Sequence, residues 1–318
     1  MHNQQKNMAE RPSPISYGKK ARKLSGDDGP IPKRVKQINT PVYPVDIIKT
    51  EDDIKSIERE MEALENTSGS INCGNCGRNL TVKVIHGKSP NIIHHFIFGE
   101  ASPTNHRHQI LKLMCCEQGA GENHVAAVRV CGRWWTVEEM LTSNDLGRNG
   151  LRSVCTFGER LVLSMLNRVV MRYQEHSPGD PVFLSHPPNE MAKIMWISGK
   201  AVGFYTIKQK FKLIHDYCPD VWDMNVLDTI FVRTNYRHQG IATQMLEDFL
   251  ASFPEQDVGL SYPLEDSLRE VFFKLLTRRK EDRARVWECT MPSSCHSKVN
   301  LWLSLIHKKK SSRARLSA

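Results

Sequence analysis

Arg237-His-Gln-Gly-Ile-Ala242 joins an apolar stretch, Val226-Leu-Asp-Thr-Ile-Phe-Val232, to a stretch of helical character, Thr243-Gln-Met-Leu-Glu-Asp-Phe-Leu250. That order predicts a strand, a tight turn and a helix. The first amides of a helix lack intrahelical acceptors and lie at the positive end of its dipole, so such a turn can hold a diphosphate by its backbone. Gly240 lets the backbone come close because it has no Cβ, and Ala242 keeps the next outward position small. A second group with chemical potential is Cys73-Gly-Asn-Cys76, a spacing that zinc sites use. The further donors available to it are His94, His95, His106, His108, Cys115 and Cys116, too irregularly spaced to choose among. No second Cys-x-x-Cys follows, so these residues are read as unligated and no metal site is assigned. No Ser/His/Asp order or carboxylate pair marks a hydrolase.

The elements that must position the loop are legible around it. Thr156-Phe-Gly-Glu159 is a capping box, and Leu161, Val162, Met165, Leu166, Val169, Val170 and Tyr173 follow at helical spacing. After a proline-rich loop at 178–188, residues 192–197 and 201–207 read as two strands joined across Ser198-Gly-Lys200. The strand 226–232, the loop and a helix over 243–252 come next. A strand over 258–262, a helix over 264–276 and a last strand over 286–290 complete the series. Upstream, strands are expected at 80–85, 92–98, 110–114, 125–130 and 134–137. Ile47, Ile54, Ile57, Met61 and Leu64 mark an amphipathic helix packed on its own domain. The chain thus divides into a disordered basic leader (1–44), an amphipathic helix (45–67), a β-rich part (68–150), a mixed α/β domain (151–292) and a basic C-terminal tail (293–318).

The 318 residues carry a net charge of +9, concentrated at the ends: residues 1–40 hold nine Lys/Arg against three acids, and 307–318 hold five against none. The middle is slightly acidic, which argues against nucleic-acid binding by the folded part. Lys19-Lys-Ala-Arg-Lys23 and Lys33-Arg-Val-Lys36 have the arrangement of a bipartite nuclear import signal. No apolar run approaches the ~18 residues of a membrane span. Nine cysteines without a secretory leader predict reduced thiols in the nucleus or cytoplasm. Residues 299–306 and the lysines after them are read as docked on the domain or as tail, in preference to lying on an anionic membrane.

The loop pattern, basic residue, two variable residues, Gly, one variable residue, small residue, resembles the acyl-CoA loop of GCN5-related N-acetyltransferases. The order helix, hairpin, strand, glycine loop, helix, strand, helix, strand is similar to that fold as well. The fold expected is therefore mixed α/β, with an acetyltransferase-like (GNAT) central sheet and flanking helices behind a β-rich segment. A narrower likeness is carried by Trp134-Trp135, Thr156-Phe-Gly-Glu-Arg160, Leu166-Asn-Arg168, Ala192-Lys-Ile-Met-Trp196, Val202-Gly-Phe-Tyr205, Val226 to Arg233, Met245-Leu-Glu-Asp-Phe249 and Gly259-Leu-Ser-Tyr-Pro-Leu264. Through these the chain resembles the soluble lamin-associated proteins and their shorter relatives over about residues 125–289. The resemblance implies an acetyltransferase-like domain, association with the nucleus or nuclear envelope, and nuclear lamina proteins as partners.

In such a domain Ile230, Phe231 and Val232 would hold the pantetheine arm of acetyl-CoA or a related acyl-CoA. Arg237, His238, Gln239, Gly240, Ile241, Ala242 and Thr243 would hold its diphosphate. Catalysis then needs a proton acceptor for the amine and a donor for the leaving thiolate. Asp228 lies on the right strand for the first role. For the second the resemblance implies a tyrosine on the helix after the fifth strand, but that stretch reads Leu268-Arg-Glu-Val-Phe-Phe-Lys-Leu-Leu276. A phenyl ring donates no proton, and Tyr262 is the nearby substitute. Two functions are expected from this: an N-acetyltransferase acting on an unknown amine or protein acceptor, or a catalytically weak module of the same fold serving as a nuclear or lamina-associated adaptor.

Overall fold

The computed structural model describes residues 42–50, 52–53, 55–56, 59, 68–73, 77, 79–83, 92–96, 109–115, 125–176, 190–215, 218–290 and 298–316. Residues 1–41 of the basic leader, with both proposed import clusters, and about half of the 45–67 segment lie outside these residues. Across the boundary between leader and segment a short helix α1, Pro44–Ile47, ends at Ile48, whose φ of −84° and ψ of 105° are extended. Val45 and Ile48 are buried while Ile47 is 41% exposed. The apolar face is therefore not the one Ile47 suggests and the helix does not run unbroken from it, but the described residues 52, 53, 55, 56 and 59 further on are helical. Asp46 anchors α1 by accepting from the Ser143 hydroxyl at 2.6 Å and the Asn144 amide at 2.8 Å.

The five expected upstream strands form, with shifted ends, and β1 (Ser68–Asn72) is a further one that the sequence did not suggest. β1 and β2 (Asn79–Lys83) pair only with each other. β3 (Ile92–Phe96), β4 (Gln109–Met114), β5 (Val125–Val130) and β6 (Arg133–Thr136) form a four-stranded antiparallel sheet in that order. β6 stops one residue early because Thr136 caps helix α2 (Val137–Met140): its hydroxyl accepts from the Glu139 amide, and Glu139 accepts from the Thr136 amide at 2.8 Å. Lys112 on β4 is only 4% exposed. Burial, with the neighbouring charge of Arg168 adding to it, brings its ammonium pKa down to about 7.

The second sheet has seven strands: β7 (Gly150–Ser153), β8 (Met191–Ile197), β9 (Lys200–Lys208), β12 (Asn225–Val232), β13 (Val258–Ser261), β14 (Val286–Cys289) and β15 (Lys298–Asn300). Their order is β15-β14-β13-β12-β9-β8-β7, with β12, β13 and β14 parallel and the remaining pairs antiparallel. Between β9 and β12 the chain inserts a separate hairpin of β10 (Leu213–His215) and β11 (Cys218–Val221), which the sequence did not suggest. Between β7 and β8 runs α3 (Phe157–Met165), capped as its sequence predicts: Glu159 accepts from the Thr156 amide at 3.0 Å and the Thr156 hydroxyl accepts from the Glu159 amide at 3.2 Å. It continues as a π-helix over Leu166–Gln174. Helices α4 (Ile241–Ser252), α5 (Asp266–Arg278) and α6 (Leu301–Leu316) follow β12, β13 and β15.

One core joins Val128, Val130 and Trp135 of the four-stranded sheet to Leu161, Val169, Trp196 and Phe204. The β-rich part and the α/β part thus share their apolar interior. A second core packs Tyr205, Leu246, Phe249, Phe272 and Leu275 on the other face. Leu301 and Leu305 belong to it, 0% and 4% exposed, and Trp302 stacks on Phe273 with ring centroids 5.6 Å apart. The described residues after 297 therefore extend the sheet and cover it with a helix, where the charge alone suggested a tail.

Candidate functional site

β12 and β13 are neighbours for only three residues. Asn225, Val226 and Leu227 pair with Val258, Gly259 and Leu260, and beyond them the two strands have no ladder. β12 nevertheless runs on to Val232, paired with β9 on its other edge. A bulge lies where they part: from Leu227 to Ile230 β12 takes three steps against two on β9, from Ile207 to Tyr205. A bulge bends a strand and strengthens its twist, which turns the far end of β12 away from β13. The edge of β12 at Ile230 to Val232 consequently faces a gap with no strand partner among the described residues.

The loop at the end of β12 closes that gap. Thr234–Tyr236 makes a single 3-10 turn, and His238 adopts a positive φ of 62°. Gly240 precedes α4 with φ 79° and ψ 0°. A Cβ at Gly240 would meet no atom within 4 Å, so glycine is required for its left-handed backbone and not for lack of space. No side chain caps α4. The first amide turned back into the helix is that of Gln244, which donates to the Gly240 carbonyl at 3.0 Å. Among the described residues none accepts from the amides of Ile241, Ala242 or Thr243.

Both flanks hold this arrangement in place. Below α4, the Tyr205 hydroxyl donates to Asp248, and Lys193 reaches the same carboxylate at 2.7 Å. Burial, followed by the hydrogen bond and charge of Asp248, pushes the Tyr205 phenol well above its ordinary range. On the opposite side Glu175, just past the π-helix, accepts from the Thr234 amide at 2.6 Å, the Thr234 hydroxyl at 3.0 Å and Arg233 Nε at 3.3 Å. Burial works against the Arg233 charge. Glu138 and Glu175 overcome it and leave the guanidinium pKa above that of ordinary arginine. Glu175 is thus a positioning residue that ties the end of the helix to the start of the loop.

The result is a cleft of about 1180 Å³. Asp228, Ile230, Phe231, Val232, Arg237, His238, Gly240, Ile241, Ala242 and Thr243 all line it. Gln239 and Tyr262 do not. The Gln239 side chain donates to the Asn235 carbonyl at 3.3 Å, and Tyr262 is 57% exposed, just past the end of β13. Asp228 enters the cleft already in an ion pair, its Oδ1 2.6 Å from Lys208 Nζ. Of the two phenylalanines on α5, Phe272 is fully buried and Phe273 lines the cleft. Sequence reasoning missed Met171, Tyr173, Glu175 and His176 as one wall and Leu264, Leu268 and Val271 as the other. The only sequence signal for the first group was that an amphipathic helix ends there. That its end faces β12 depends on contacts distant in sequence.

Among the described residues no group of three His, Cys, Asp or Glu side chains converges to hold a metal ion. Cys76, His106, His108 and Cys116 lie outside the described residues. No helix is long and apolar enough to cross a membrane, among the described residues.

No family model and no solved structure matches the chain. Among the proteins it is similar to are Protein FAM169B of Mus musculus, 38% identical over 185 residues, and Protein FAM169BP of Homo sapiens, 40% identical over 118 residues. The first match covers 57% of this chain and 55% of that protein, the second 36% and 62%. The chain therefore spans between half and two thirds of the length of these relatives. Over the shared stretch it is homologous to Protein FAM169B.

Proposed function

We propose that this chain binds acetyl-CoA or a related acyl-CoA in the cleft and transfers the acyl group to an amine. The observation that carries the reading is the coincidence of two features in one cleft: the parted β12 and β13, and the uncapped start of α4. A pantetheine arm is itself an extended amide chain. The free edge of Ile230, Phe231 and Val232 offers it the hydrogen bonds of a missing strand, while the α4 amides and Arg237 meet the diphosphate. In the transfer the amine nitrogen bonds to the thioester carbon as the carbon–sulfur bond breaks. Asp228 is the acceptor of the amine proton. Because Tyr262 stands outside the cleft, the proton returned to the thiolate is assigned to Tyr173, a phenol on the opposite wall.

Isothermal titration of the purified chain with acetyl-CoA tests the binding half without an acceptor. Saturable heat is expected, and its absence at millimolar ligand removes the assignment. A second reading keeps the binding and drops the turnover, with the chain acting as an adaptor in the nucleus or at the lamina. It is favoured by Phe273 in the cleft and by the pairing of Asp228 with Lys208. Nuclear entry would then depend on the clusters at 19–23 and 33–36. A panel of amines and basic peptides separates the readings: thiol release dependent on acceptor supports the enzyme, and intact binding without release supports the adaptor.

A further inference from the structure

The wall of the cleft that α5 supplies changes character along its length. Leu268, Val271, Lys274 and Arg278 line the cleft, and their spacing puts them on one face of the helix. Its apolar half begins just past β13. Its basic half lies beside α4, because Arg278 reaches Glu247 of that helix at 3.6 Å. Arg237 and His238 line the cleft from the loop before α4. Such a wall fits a ligand that has an uncharged arm at one end and several anionic groups at the other.

Lys274 differs from the other charged side chains of α5. Asp266 pairs with Lys308, Arg269 with Glu288, Glu270 with Lys309 and Arg278 with Glu247. Among the described residues Lys274 has no ion-pair partner, and it is exposed where it lines the cleft. Its charge is left for whatever enters.

We propose that Lys274, with Arg278 one turn further along, binds the 3′-phosphate on the ribose of the acyl-CoA and makes the cleft select that form over the 3′-dephospho form. The proposal rests on the acyl-CoA reading of the cleft. Coenzyme A carries two separate anionic groups, and the α4 amides and Arg237 are assigned to its diphosphate alone. The 3′-phosphate is a monoester with roughly two negative charges at neutral pH. A lysine ammonium suits it, being a compact charge with three donors on a flexible stem. Leu268 and Val271, on the same face, would border the uncharged arm.

The test is isothermal titration of the full wild-type chain with coenzyme A and with 3′-dephospho-coenzyme A. The wild type should bind the first about tenfold more tightly, the scale of one charge-assisted hydrogen bond. That preference should shrink as salt is raised, because both cations are exposed. Lys274→Gln should lose most of the preference by weakening coenzyme A binding while leaving the dephospho form unchanged, which also shows that the variant is folded. Lys280→Gln, at an exposed lysine outside the cleft, should keep it. Equal wild-type affinity for the two ligands overturns this proposal and leaves the acyl-CoA reading standing, as does a full preference in Lys274→Gln. Binding of neither ligand overturns both.

Discussion

The two ends of the cleft are built to different standards. At the loop end, the backbone supplies everything: a left-handed Gly240, an uncapped helix start, and supports from Asp248 beneath and Glu175 beside it. At the end proposed for the reaction, side chains must do the work, and they are sparse. Asp228 is shared with Lys208, Tyr262 stands outside, and Phe273 occupies a wall where a phenol would serve. On the proposed reading, the contrast means that binding of the acyl-CoA and handling of protons are specified separately in one fold, since the first would rest on strand and helix geometry and the second on individual residues.

The largest effect is expected at the reacting end. Asp228→Asn removes the carboxylate's basicity, and Tyr173→Phe removes the phenol that lines the cleft. Each should lower kcat roughly a hundredfold while acetyl-CoA affinity stays within about threefold, read by steady-state kinetics beside calorimetry. Unchanged kcat in both variants would leave the reacting end without an assigned acid or base. At the loop end, Gly240→Asp places a negative charge at the proposed diphosphate site and forces a left-handed φ on a residue with a Cβ. Affinity should fall at least about tenfold, about 1.4 kcal/mol, whereas Gly240→Asn, which tolerates that conformation better, should lose less.

A smaller effect must be separated from the pH dependence of the cleft. Lys112, with its pKa brought from 10.5 to about 7, is neutral in the folded chain and protonated in the unfolded chain between those values. The unfolded chain binds more protons there, so this group makes stability rise as pH increases from about 7 to about 10.5. Below about 7 the full cost of burial applies. Lys112→Met should flatten that rise and stabilise the chain at neutral pH by about 1 kcal/mol or more, measured by denaturant unfolding across the range. A variant with the wild-type slope would place the pH dependence elsewhere. Smallest of all, Tyr262→Phe should leave affinity and kcat within about twofold, because the phenol lies outside the cleft. A large fall in kcat would restore Tyr262 as the acid.

How far the sequence reached follows from the range of the forces involved. Thr156 and Glu159 announced α3, Ser198-Gly199 announced the β8–β9 turn, and Arg237 to Ala242 announced a strand-to-helix loop, each through interactions within about four residues. Apolar runs bounded by turn residues gave β5, β8, β9 and β12 to within a residue. What local pattern could not give was which elements face each other. The bulge at Asp228 and Thr229 depends on pairing with β9, and the gap beside β12 depends on where β13 stops. That the end of the π-helix supplies a wall, that Tyr262 points outward, and that Leu301 and Leu305 turn a basic end into a docked helix are likewise decided by contacts far apart in sequence. Local hydrogen bonds and side-chain period write the elements into the chain. Only packing, which matches one surface to another, decides what those elements enclose.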